Sequence, residues 1–247
     1  MGGILIFGGS GGIGSSIATE LSHRGIPTFL AARSEERLHS VAQEVGASGW
    51  TVADVTNLSD IERTFAEATS KLGSISGVAH CVGSILLKPA HLTSEAEFTS
   101  VINLNLTSAF LVMRSAARTM TDGGSILFFS SAAGRIGLAN HEAIAAAKAG
   151  IIGLTLSAAA TYAPRKLRVN CIAPGLVQTP LSEKITSNPT AASFSRALHP
   201  LGRLGEANDI SKLAGLLLSD DSSWITGQVF GVDGGLGTLK TTVTPAG

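Results

Sequence analysis

The segment Gly8-Gly9-Ser10-Gly11-Gly12-Ile13-Gly14 follows the apolar run Ile4 to Phe7 and opens a stretch in which Ile13, Ile17 and Leu21 recur every fourth residue. Glycines so placed let backbone N–H groups come close to a pyrophosphate, and the positive end of the helix that follows favours the anion. A glycine string alone says little. A strand before it and a helix after it make a dinucleotide site the expected chemistry, with Gly8, Ser10, Gly12, Ile13 and Gly14 as the cradle. The end of the next strand selects between cofactors. A carboxylate there would accept hydrogen bonds from a ribose 2′-hydroxyl and repel a 2′-phosphate, whereas an arginine pairs with the phosphate. Here Ala32 takes the acid's place and Arg33 follows, so NADP(H) is expected and NAD(H) is the alternative.

Short apolar runs rich in β-branched and aromatic residues alternate with segments of helical period, the pattern of a parallel sheet covered by helices on both faces. The strand candidates are Ile4 to Phe7, Thr28 to Ala32, Trp50 to Ala53, Gly77 to His80, Ser125 to Ser130, Arg168 to Ile172 and Gln228 to Val232. Gly25 and Pro27 end the first helix, and Ser34 with two glutamates after it is the expected start of the second. No repeat or linker divides the chain, so residues 1–247 are expected to form one α/β domain. Two stretches look irregular. Thr179 to Leu201 carries Pro180, Pro189 and Pro200 among polar residues and is the expected substrate lid, and the tail after Gly237 is rich in Thr and Pro.

The formal net charge is zero and no Lys/Arg cluster stands out, which argues against nucleic acid or an anionic membrane surface as partner. The apolar N-terminus lacks a basic leader and runs straight into glycines, and no unbroken run approaches the roughly 20 apolar residues of a spanning helix. Cys81 and Cys171 lie far apart in apolar contexts, so a reducing cytoplasm is the expected setting. No metal is expected.

Several further motifs fall in one order: Ala53-Asp54-Val55, Asn103-Leu104-Asn105-Leu106, Ser130-Ser131, Lys148, Arg168-Val169-Asn170, Pro174-Gly175 with Thr179, and Val232-Asp233-Gly234-Gly235. With the glycine motif, in which Phe7 stands for the usual threonine, they make the chain resemble the short-chain dehydrogenase/reductase family over almost its whole length. The resemblance implies a three-layer Rossmann fold, a doubly wound parallel sheet of about seven strands. It also implies a small-molecule substrate, a homo-dimer or homo-tetramer, and cofactor contacts from Asp54, Val55, Gly83, Lys148, Pro174, Gly175, Val177 and Thr179. Gly11 departs from the basic residue that many NADP-using relatives carry there.

In that family a tyrosine exchanges the substrate proton, a lysine lowers its pKa and holds the nicotinamide ribose, a serine orients the carbonyl, and an asparagine anchors a water relay. By position, Asn105, Ser131 and Lys148 match three of these roles, but Ile144 stands four residues before the lysine where the tyrosine belongs. The only tyrosine, Tyr162, matches a structural position of the relatives. The resemblance also extends to the enoyl-[acyl carrier protein] reductases. These place their tyrosine seven residues before the lysine, with an apolar residue at the four-before position, and often read His-Ser-Ile-Gly where this chain has His80-Cys81-Val82-Gly83. His141 occupies the seven-before position. An imidazolium can donate a proton, and two turns of helix would put His141 and Lys148 on one face, though about 10.5 Å apart along the axis. Alternatively Asn140 caps the helix and His141 is a loop residue. Three readings stand: a carbonyl reductase with a non-standard proton donor, a reductase of activated C=C bonds, and a cofactor-binding protein without turnover.

Overall fold

The computed structural model describes residues 2–240, so residues 241–247 of the Thr/Pro-rich tail lie outside the described residues. In chain order the elements are β1 (Gly3–Phe7), α1 (Gly12–His23), β2 (Thr28–Ala32), α2 (Glu35–Val45), β3 (Gly49–Val52), α3 (Leu58–Leu72) and β4 (Ile75–His80). There follow α4 (Glu95–Ile102), a π-turn (Asn103–Thr107), α5 (Ser108–Thr119), β5 (Gly124–Phe129), α6 (Glu142–Tyr162), β6 (Leu167–Pro174) and β7 (Val177–Gln178). The last elements are α7 (Glu183–Thr186), α8 (Pro189–Leu198), β8 (Gly205–Glu206), α9 (Ala207–Leu218) and β9 (Val229–Val232).

Seven strands form one parallel sheet in the order β3-β2-β1-β4-β5-β6-β9. Each of the seven expected strands is present, with ends shifted by at most two residues. β1 is buried at every position, as a strand covered on both faces must be. Leu5, Phe7 and Ile126 pack on one side with Phe65 of α3, Val112 of α5 and Ile151 of α6. Ile4, Ile6 and Leu127 pack on the other with Ile17 of α1, Leu38 of α2 and Leu217 of α9. The order reverses between β1 and β4, which opens a crevice at their carboxyl ends, the place where ligands bind in such sheets.

Three features depart from expectation. Thr179 to Leu201 is not an irregular loop but a 3-10 turn (Pro180–Ser182) followed by α7 and α8. Its prolines are punctuation: Pro180 and Pro189 occupy first helical turns, where the missing N–H costs nothing, and Pro200 follows the end of α8. Asn188 caps α8 by accepting from the amides of Thr190 (3.0 Å) and Ala191 (3.1 Å). Second, the two-residue strands β7 and β8 pair as a separate small sheet. Third, Glu95–Thr119 and Glu142–Arg165 are long and apolar enough, by length and composition, to cross a membrane, although neither is an unbroken apolar run. Each nonetheless lays a buried face on the sheet, through Val112, Met113 and Ala116 in one case and Ile151, Ala158 and Ala159 in the other.

Candidate active site

A cavity of about 570 Å³ runs along the carboxyl ends of β1 and β2, walled by the glycine turn, Arg33, Asp54, Val55, Gly83 and Thr179. Gly8 has φ +78, a left-handed conformation that favours glycine. Gly12 faces Thr179 so closely that a Cβ there would lie 2.7 Å from the threonine methyl, and a Cβ on Gly14 would collide with the Gly8 carbonyl. Those positions leave room only for backbone, as a phosphate cradle needs. Ser10 and Ile13 complete the turn's lining. Asp54 Oδ1 accepts from the Thr56 amide (2.9 Å) and hydroxyl (2.7 Å), and these bonds hold its carboxyl below the usual range.

Arg37, in the first turns of α2, lines the same cavity as Arg33. The sequence reading misses it: Arg33 precedes α2, so no helical spacing links the two arginines, and only the fold brings both to the groove. It brings a second cation to this cavity. Three further expected cofactor contacts, Pro174, Gly175 and Val177, are not among the residues that line this cavity. Pro174 closes β6, while Gly175 and Val177 line a neighbouring cavity of about 300 Å³ with His199 and Asp233. His199 occupies the space beside Gly175, its Nε2 accepting from the Leu176 amide at 3.1 Å.

At the far end of the groove Gly83, Asn105 and Lys148 converge. A Cβ on Gly83 would lie 2.9 Å from Asn105 Oδ1 and 3.2 Å from Lys148 Nζ. Asn105 Oδ1 accepts from the Ser84 amide (3.1 Å), and its Nδ2 donates to Ser84 Oγ (2.9 Å) and Val101 O (2.9 Å). Lys148 is buried; its Nζ donates to Phe129 O at 3.0 Å, and burial lowers its pKa to about 8. Among the described residues that is one bond for three N–H groups.

The two serines after β5 divide their work. Ser130 is buried and donates to Lys148 O at 2.7 Å, which ties β5 to α6. Ser131 is half-buried, and its Oγ accepts from the Ala133 amide at 3.2 Å, which leaves its O–H able to donate outward.

Ile144 is buried with Val101, Ala143 and Ala147 in a small apolar cluster that Leu86, Ile102 and Leu106 complete. His141 lies one residue outside α6, as its N-cap, with Nδ1 2.7 Å from Ala139 O. Asn140, the expected cap, instead adopts a left-handed conformation, φ 64. The His141 carbonyl accepts from the Ala145 amide at 2.7 Å, the first intrahelical bond, so His141 begins the helix two turns before Lys148. His80 and Cys81 offer no acid: burial pushes the imidazole down to about 3 and the thiol far up. Tyr162 ends α6 under the Arg165 guanidinium, 5.5 Å from ring centroid to carbon.

A family model described as enoyl-(acyl carrier protein) reductase matches residues 8–237. The chain is 34% identical over 240 residues to a 3-oxoacyl-[acyl-carrier-protein] reductase of Thermotoga maritima, covering 94% of this chain and 96% of that one. It is 31% identical to 2-(S)-hydroxypropyl-CoM dehydrogenase 3 of Xanthobacter autotrophicus, over 94% and 95%. Among solved structures, that of levodione reductase superposes with a TM-score of 0.91 at 31% identity, over 96% of this chain and 98% of that one. A family model matching residues 8–237 and relatives more than 30% identical over nearly their whole length show that the chain belongs to the short-chain dehydrogenase/reductase family of oxidoreductases.

Proposed function

We propose that the chain is an NADP(H)-dependent reductase of a carbonyl substrate, a ketone or 3-oxoacyl-like compound, with a non-standard proton donor. The observation that carries this reading is the groove whose phosphate end holds Arg33 and Arg37 and whose far end holds Asn105 and Lys148. The residues fit the cofactor: glycines leave room for a pyrophosphate, and two cations suit a 2′-phosphate. NADPH, when bound, supplies the hydride. Ser131 donates to the substrate oxygen, Asn105 anchors the water relay, and Lys148 binds the ribose with N–H groups that no protein acceptor takes among the described residues. Val55 and Thr179 wall the groove, and Asp54 stands at its adenine end.

With Ile144 in the phenol's place, two groups remain as proton source. Lys148 is buried at the site with a pKa near the operating range. His141 is the second, with Nε2 as the nitrogen left to act. A His141→Phe variant with unchanged rate and pH profile would remove the histidine. The oxidoreductase reading is tested by loss of NADPH absorbance across a panel of ketones, 3-oxoacyl thioesters and enones. Turnover of enones alone would favour the C=C reading, which the enoyl-reductase family model and Ile144 both support. NADPH binding by calorimetry with no turnover on the panel would favour a cofactor-binding protein. Arg33→Ala with Arg37→Ala should weaken NADPH at least tenfold and leave NADH almost unchanged, since each charged contact is worth about 1.5–3 kcal/mol. The substrate is a small molecule, the chain assembles as a homo-dimer or homo-tetramer, and its free Cys81 and Cys171 suit a reducing cytoplasm.

A further inference from the structure

We propose that His80 and Ser108 are positioning residues that hold the π-turn and so set Asn105 in the site, a step that rests on the function read above. Phe7, His80, Phe128 and Cys171 are register partners across β1, β4, β5 and β6, so their side chains form one row on one face of the sheet. His80 is 2% exposed and its ring meets those of Phe7 and Phe128 edge-on, each 6.3 Å away. It is the one strongly polar member of the row.

Its partner lies on the helix above. In a regular α-helix the Ser108 amide would bond to Leu104 O, but in the π-turn it reaches back to Asn103 O. Ser108 Oγ meets Leu104 O instead, donating to it at 2.6 Å. With its proton so committed, Oγ accepts from His80 Nε2 at 2.9 Å. The protonated nitrogen is therefore Nε2, and Nδ1 is buried without a partner among the described residues. His80 thus acts through one nitrogen only, as a neutral donor. The same turn frees Asn105 to fill Val101 O and to hold Ser84, so the extra residue of the π-turn is satisfied by side chains at both ends. A sheet-to-helix pin then decides where the Asn105 amide stands.

The test uses the reach of two amides. A glutamine amide nitrogen extends about as far as Nε2, whereas an asparagine amide reaches only to the level of Nδ1, so His80→Gln keeps the bond to Ser108 and His80→Asn loses it. Amide hydrogen exchange over residues 103–108 should be about tenfold faster in His80→Asn and in Ser108→Ala, the size of one lost hydrogen bond, and close to wild type in His80→Gln. NADPH oxidation should show kcat lowered in the first two variants, with the substrate KM and the calorimetric Kd for NADPH unchanged, and kcat recovered in His80→Gln. Wild-type protection in both His80→Asn and Ser108→Ala overturns the pin, as does exchange in His80→Gln as fast as in His80→Asn. The exchange measurement stands whether or not the wild type turns over, so failure of the pin and failure of the reductase reading are told apart.

Discussion

Ile144 is 5% exposed, wedged among Val101, Ala143 and Ala147, and the cluster is complete as it stands. A larger side chain there must displace its neighbours, which typically costs about 1–3 kcal/mol. Ile144→Tyr is therefore expected to lower Tm while raising kcat at least tenfold, since a general acid contributes roughly 10²- to 10⁴-fold. A melting curve and a turnover assay check both halves, and an unchanged kcat would place the phenol out of reach. Lys148 makes a prediction of opposite character. Burial holds its pKa near 8, below the 10.5 of an exposed lysine, so the folded state disfavours the charged form. Below pH 8 both states carry the proton and the cost is felt in full. Between pH 8 and 10.5 the folded protein gives up its proton while the unfolded chain keeps it, so stability rises with pH, by up to roughly 3 kcal/mol from this one group. Lys148→Met should remove that rise. Urea unfolding of both proteins at pH 7 and pH 10 reads the difference, and parallel slopes would count against a buried ammonium.

The seven strands of the sheet were legible because parallel strands buried on both faces write continuous apolar runs, as Ile4 to Phe7 and Ile126 to Phe129 do. The helices of Thr179 to Leu201 were not legible, because proline reads as a breaker unless its place in the turn is known. Pro189 begins α8, with Asn188 capping it, and the two together are a start signal. Asn188→Ala should loosen α8 by about 1 kcal/mol, the worth of such a cap. Because α8 joins the core mainly through Ala192 and the buried His199 behind it, the loss should appear as faster amide exchange in residues 189–198 and a higher substrate KM, with little change in Tm. The π-turn was hidden for another reason. Asn105 and Ser108 sit three apart, an ordinary helical spacing, and only the His80 contact from a strand far away in sequence shows why the helix takes in an extra residue. The functional residues divide the same way. Gly8 to Gly14 carry local signals, whereas Arg37 joined the site through the fold.

At the scale of the whole molecule, α6 is unusual in being apolar all round rather than along one stripe. Its inner face, including Ala147, Ile151 and Ala158, is buried, but Leu156 is 49% exposed, and on α5 Phe110 is 55% exposed. A helix apolar on every side normally has neighbours on every side. The same property lets this stretch satisfy the length and hydropathy of a membrane span, yet a helix fixed by its inner face to a seven-stranded sheet has only its outer stripe to offer. We propose that a second copy of the chain, presenting the same stripe about a two-fold axis, covers it by self-complementarity. Phe110→Glu with Leu156→Glu alters only exposed positions, so the fold itself should persist, with the far-UV circular dichroism of the wild type. Sedimentation should then show a smaller assembly than the wild type at the same concentration. The wild-type Tm should rise with protein concentration, as mass action requires of an oligomer, and that of the double variant should not. Identical sedimentation of the two proteins would place the contact on another face.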